Sequence, residues 1–172
     1  MAAKMNIKQL LDQEITKFLN SPEIDFSQFQ EHNNQVNSVH EFTFDEFLSD
    51  KMLMITAIRA GISYSLFDLI QQYAPFSETD WAGFLDVSTK SLQRYKQAAK
   101  RFKSIHSEKI IELAEVTQIG LDVFGSTAEL KLWLNTPNFA LGAQKPIDLL
   151  KNSYGIELVA GQMVRIDHGI FV

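Results

Sequence analysis

Two serines eleven residues apart, Ser77 and Ser88, constrain this chain more than any other feature. Each carries the short oxygen-bearing side chain that accepts from free N–H groups at a helix start. Ser77 is followed by Glu78 and Asp80, whose charges suit the positive end of the helix dipole. The spacing leaves room for one short helix and a tight turn before a second helix begins. Such a pair packs only with a small residue at the crossing and apolar residues on the facing sides. The stretch Glu78–Tyr95, ETDWAGFLDVSTKSLQRY, supplies both. Ala82 is the small residue, and Trp81 and Leu85 face inward from the first helix. Val87 follows the turn, and Leu92 and Tyr95 face inward from the second helix. Asp86 stands where glycine is common, and aspartate adopts the left-handed conformation better than most residues. The segment is expected to be a helix-turn-helix.

Helical punctuation continues on both sides, so the fold class is all-α. Ile7, Leu10, Leu11, Ile15, Phe18 and Leu19 follow helical spacing. Residues 20–40, with Pro22 and a polar run, read as a loop or linker, which makes residues 1–45 a peripheral extension, partly helical or disordered, or else an interaction arm. Asp50 to Ala60 is a helix stopped by Gly61, and Ser65 to Tyr73 is another, ended before Pro75. A longer helix is expected from Ser107 to the stop at Gly125. Ser126 and Glu129 then spell a capping box. Pro137 ends the helix bearing Trp133 and Leu134, which belong with Leu150 to the core. Pro146 opens the next helix, and Gly155 is expected to separate that helix from a last one ended by Asp167-His168-Gly169. The organisation expected is an extension over 1–45, a helix-turn-helix domain over 46–124 and a small helical domain over 125–172.

The chain has 172 residues, long enough to bury roughly 70% of its unfolded surface. Zero cysteines exclude disulfides, thiolate nucleophiles and cysteine-based zinc sites. The histidines, His32, His40, His106 and His168, include no i, i+4 pair, and no compact metal set or cofactor motif stands out. No phosphate-binding loop and no G-x-S-x-G elbow occurs, so an enzyme with a dispersed site has no positive support. Lysines at positions 4 and 8 and acids at 12 and 14 leave no apolar centre for a signal peptide, and the reading is a soluble cytoplasmic protein with no membrane partner.

The net charge of −5 argues against nucleic acid only if charge is spread evenly. It is not. Lys90 to Lys109 holds seven cations and one acid. Phosphate contacts act within about a Debye length of 8–10 Å, so this local field outweighs the total. If the second helix of the pair enters the major groove, its N-terminal residues reach base edges. Ser88, Thr89, Lys90, Gln93 and Arg94 are then the readers, with Gln93 suited to adenine and Arg94 to guanine. Lys96, Lys100, Arg101 and Lys103 are placed to contact phosphates.

Val87-Ser-Thr-Lys-Ser-Leu92-Gln-Arg94 resembles the helix-turn-helix of Xre/Cro-type regulators. Residues 123–172 resemble the toxin-binding domain of Xre/MbcA/ParS-type antitoxins. The matching residues are Phe124-Gly125, Trp133-Leu134, Pro137-Asn138, Leu141-Gly142, Pro146, Leu149-Leu150, Gly155, Val159 and Arg165 to Gly169. The resemblance implies a type II antitoxin of a RES–Xre toxin–antitoxin system: a homodimeric non-enzyme that represses its own operon through operator DNA. Its partner would be a RES-domain NAD-degrading toxin, bound in a hetero-oligomeric complex with the antitoxin's extreme C-terminus at the NAD site. By position, the toxin-binding residues would be Ile170, Phe171 and Val172, with Arg165 and His168 nearby. Read without the resemblance, the apolar tail packs back on its own core. The rival reading is a stand-alone transcriptional regulator whose C-terminal domain only dimerises.

Overall fold

Side-chain caps set most of the helix starts. In the computed structural model, which describes residues 6–24 and 41–169, the chain is helical with short connections. Among those residues the only strand-like pairing is an isolated bridge between Asn138 and Gln144. Helix α1, Ile7–Leu19, starts behind a reciprocal Asn6–Gln9 box, and α2, Phe44–Ser49, behind a Thr43–Glu46 box. The Asp50 carboxylate accepts from Met52 and Leu53 to open α3, Lys51–Ala60, which Gly61 ends at φ +81°. Ser63 caps α4, Tyr64–Tyr73. Ser77 and Asp80 form a reciprocal box on α5, Glu78–Phe84, and Ser88 caps α6, Thr89–Ala98. Helix α7, Ser104–Phe124, is the longest at 21 residues. After it come α8, Thr127–Leu134, a 3₁₀ turn at Phe139–Leu141, α9, Pro146–Leu149, and α10, Ser153–Asp167.

The helix-turn-helix is present as the spacing requires. Trp81, Ala82, Leu85 and Leu92 are buried, Val87 and Tyr95 pack against the core, and Asp86 takes φ +52° in the turn. Edge-to-face contacts hold Trp81 against Phe67 and Phe76 at 5.2 and 5.6 Å between ring centres.

Four expectations change once the chain is folded. The long helix begins at Ser104, not Ser107. Ser107 is fully buried, and its hydroxyl accepts from the Ile62 N–H at 2.9 Å and donates to the Phe102 carbonyl at 3.3 Å. It is a tertiary bolt rather than a cap. Gly155 does not separate two helices; it lies in the first turn of α10, where an added Cβ would meet the Leu149 carbonyl oxygen at 1.8 Å. Of the Ser126–Glu129 box only the serine half is formed. The N-terminal residues described are not peripheral either. Helix α1 lies across α4 and α2, and Leu11, Ile15 and Leu19 have no exposed surface.

One buried cluster runs from Leu11 on α1 to Met163 on α10. Its spine is α7, which packs against α2, α3, α4, α8 and α10. Gly120 in α7 makes room for Leu130 of α8, whose Cδ1 would lie 2.4 Å from an added Cβ. The buried side of α10, formed by Ile156, Val159 and Met163, closes the core along α7. Among the described residues no helix is long and apolar enough to cross a membrane.

Helix α6 ends on Ala99 in the left-handed conformation, φ +46°, with the Lys100 N–H reaching back to the Tyr95 carbonyl at 3.2 Å. Alanine is strained there by about 1–2 kcal/mol, more than glycine loses in chain entropy. Ala99→Gly is therefore expected to raise unfolding stability by about 0.5–1 kcal/mol, read from the urea midpoint. A lower midpoint would mean that this terminus carries no strain.

Candidate functional site

Leu92 points into the core, so the opposite side of α6 is dictated by the helical repeat. Lys90, Gln93, Arg94 and Gln97 fall on that side and are exposed. Ser88 and Thr89 are exposed at its N-terminus, where the Ser88 hydroxyl is engaged with Ser91, accepting from its N–H and pairing with its Oγ at 3.0 Å. Sequence reasoning missed Gln97, which stands one turn beyond Gln93 and Arg94; its spacing of four from Gln93 was the available signal. An open cleft of about 530 Å³ follows α6 toward its end, lined by Ser91, Arg94, Tyr95, Gln97, Ala98 and Lys100. Tyr95 forms its wall because its ring stacks on Phe102 at 4.4 Å, nearly parallel.

The seven cations of the basic segment do not share one fate. Lys90, Arg94, Lys96, Lys100 and Lys103 are exposed. Lys109 is paired with Glu112 at 2.9 Å. Arg101 is consumed by the fold. Its guanidinium donates to the Gly61 carbonyl at 3.2 Å, to Ser21 Oγ at 3.3 Å and to Glu23 at 3.2 Å, and it lies over the Phe18 ring at 5.1 Å. A phosphate contact at Arg101 would have to compete with these bonds, although about 30% of its side chain remains exposed. Hydrogen bonds from its own backbone and from Ser21, with Arg101 adding charge attraction, hold the Glu23 carboxyl below its usual range.

His106 stands behind this surface with Nδ1 buried and unpartnered among the described residues. Burial, helped by Lys103, pushes its pKa down while Asp86 opposes the shift.

The C-terminal unit presents different chemistry. Tyr154, Leu158 and Val164 of α10 are exposed opposite the side that packs on α7, as are Leu132 of α8 and Phe139 of the 3₁₀ turn. Tyr154, Leu158, Gly161 and Arg165 follow i, i+4, i+7, i+11 spacing and form one stripe along α10. Arg165 is exposed within reach of Gln162 Oε1 at 3.5 Å, and His168 is the exposed C-terminal cap. Ile170, Phe171 and Val172 lie outside the described residues. The stripe was legible only in part, because Tyr154 and Leu158 look like core residues until Ile156, Val159 and Met163 are seen to fill that role.

Comparison with known proteins matches two segments of the chain. Residues 53–115 match the antitoxin Xre-like helix-turn-helix domain, and residues 120–169 match the antitoxin Xre/MbcA/ParS C-terminal toxin-binding domain. The first match ends and the second begins within α7, which runs unbroken between them. Antitoxin Xre of Yersinia enterocolitica serotype O:8 is 27% identical over 120 residues, covering 69% of this chain and 81% of that protein. A chain in the crystal structure of the M. tuberculosis MbcT–MbcA toxin–antitoxin complex superposes with a TM-score of 0.53 at 21% identity, covering 63% of this chain and 96% of that one. At that identity the likeness speaks for the fold.

Proposed function

The chain is an Xre/MbcA/ParS-type antitoxin, and from that premise we propose that it neutralises a RES-domain, NAD-consuming toxin and represses its own operon. The observation that carries the reading is the two-sided helix α10: one apolar side is spent on α7, and the other, through Tyr154 and Leu158, is left open. Exposed aromatic and aliphatic anchors beside an arginine are what a stable protein interface uses at its centre. By the family resemblance, Arg165 and His168 would flank Ile170, Phe171 and Val172, which would enter the mouth of the toxin's NAD site. The protein itself performs no chemistry; it works by occlusion, as a homodimer in the cytoplasm.

The DNA arm of the proposal rests on the open side of α6. Readers and phosphate contacts differ in what their loss does. Arg94→Ala is expected to cost about 1–3 kcal/mol on the operator and to relax specificity at one position. Lys100→Ala is expected to weaken all sequences alike and to lower the salt slope by about one. Fluorescence anisotropy on the DNA upstream of the gene and on a scrambled duplex separates the two. Equal, sequence-blind losses would remove Gln93 and Arg94 as readers. Co-expression with the neighbouring reading frame tests the other arm: co-purification supports the antitoxin, and its absence favours a regulator that acts alone.

A further inference from the structure

Arg101 occupies an unusual crossroads. It follows the end of α6 by three residues, and its guanidinium joins three parts of the chain at once: the end of α1 through Phe18, Ser21 and Glu23, the α3–α4 turn through the Gly61 carbonyl, and its own loop. That loop is already pressed against the turn. The Phe102 N–H donates to the Ile62 carbonyl at 2.8 Å, and a Cβ on Gly61 would stand 2.4 Å from the Phe102 carbonyl oxygen. Phe102 in turn stacks on Tyr95 of α6. A chain of contacts thus runs from α1 through Arg101 and Phe102 to the helix that carries Gln93 and Arg94. Helix α1 and the Ser21–Glu23 segment lie before residue 53, outside both matched antitoxin segments.

We propose that Arg101 is a positioning residue through which this chain's N-terminal helix holds the recognition helix α6 in its DNA-reading pose. The proposal rests on the DNA-binding reading of α6. A planar guanidinium suits the role, because one side chain supplies several donors in fixed directions together with a face for an aromatic ring. A lysine supplies only a point charge and cannot make the same set of contacts. With Arg101 lost, α6 and its exit loop spend less time in the competent arrangement, and apparent DNA affinity falls by the lost fraction.

Three variants decide between positioning and phosphate contact: Arg101→Gln, Arg101→Lys and Glu23→Gln. The first readout is anisotropy on the upstream duplex across a salt series. The second is amide hydrogen exchange over residues 89–103, which needs no DNA. For positioning, Arg101→Gln and Arg101→Lys both weaken binding by roughly three- to tenfold, with the salt slope unchanged. Glu23→Gln weakens it in the same direction, and all three speed exchange at the end of α6. The Glu23 variant guards against misfolding, since that side chain is 62% exposed. Rescue of binding by Arg101→Lys, or tighter binding by Glu23→Gln through release of the arginine toward phosphate, overturns the proposal. If the wild-type chain binds neither duplex, the DNA reading of α6 fails, and exchange still tests the link: faster exchange in the variants upholds the coupling to α1, and unchanged exchange removes it.

Discussion

Gly155→Ala is expected to lower the melting temperature of the isolated chain by roughly 5–15 °C, corresponding to a loss of about 2–4 kcal/mol. The added methyl would stand 1.8 Å from the Leu149 carbonyl oxygen and 2.7 Å from the carbonyl carbon. Those atoms are backbone, so no side chain can rotate away; α9 and α10 must move apart. Such movement would loosen the seam in which Ile156, Val159 and Met163 pack on α7. Gly161, two turns later on the same helix, is the control. Nothing lies within 4 Å of a Cβ there, so Gly161→Ala should gain about 1 kcal/mol of helix propensity. The same substitution in one helix therefore has opposite signs at two positions. Thermal unfolding of the three chains checks it, and equal effects would mean that Gly155 is not a close-approach glycine.

Leu158→Asp is expected to abolish protection from the toxin while leaving the fold intact. Leu158 is 60% exposed in the isolated chain, so aspartate there costs little before binding. In the complex the carboxylate would be buried without a partner at the middle of the stripe, a loss of about 3–5 kcal/mol. That is roughly a 100- to 5,000-fold fall in affinity. A chain ending at Gly169 should behave differently. Three residues form a small share of an interface near 1,600 Å², so co-purification should survive their removal. Inhibition should fall, because blocking depends on where those few atoms sit, and the truncated complex should hydrolyse NAD measurably. Pull-down and NAD consumption on both variants separate docking from plugging. Full protection by Leu158→Asp would move the toxin to another face, and full inhibition by the chain ending at Gly169 would leave occlusion to bulk coverage.

Much of the helix-turn-helix was legible because it is built from local chemistry. Ser77, Asp80 and Ser88 act on backbone groups three residues away, and Trp81, Leu85, Leu92 and Tyr95 follow from helical period alone. The same locality misled elsewhere. Ser107-Glu108 looks like a helix start, yet the serine is drawn into the core by the Ile62 N–H, 45 residues away in sequence. Helix α1 showed its period but not its destination, because nothing within residues 7–19 says that α4 receives Leu11, Ile15 and Leu19.

For the candidate sites the division follows distance along the chain. Sequence by itself determined the all-α class, most of the caps and breaks, the Lys90–Lys109 field and the antitoxin resemblance. Each of these is written in residues that interact within a turn or two, or in the order of motifs. Tertiary structure alone decided which cations remain open and which apolar residues remain exposed. Arg101 and Lys100 are neighbours of like charge, but only Arg101 finds Glu23, 78 positions earlier, and is held against the fold. Leu158 and Val159 are adjacent and equally apolar, yet α7 buries Val159 completely and leaves Leu158 in solvent. A helix presents every side to its surroundings, and only the packing partner determines which side is spent on the core and which is free to bind.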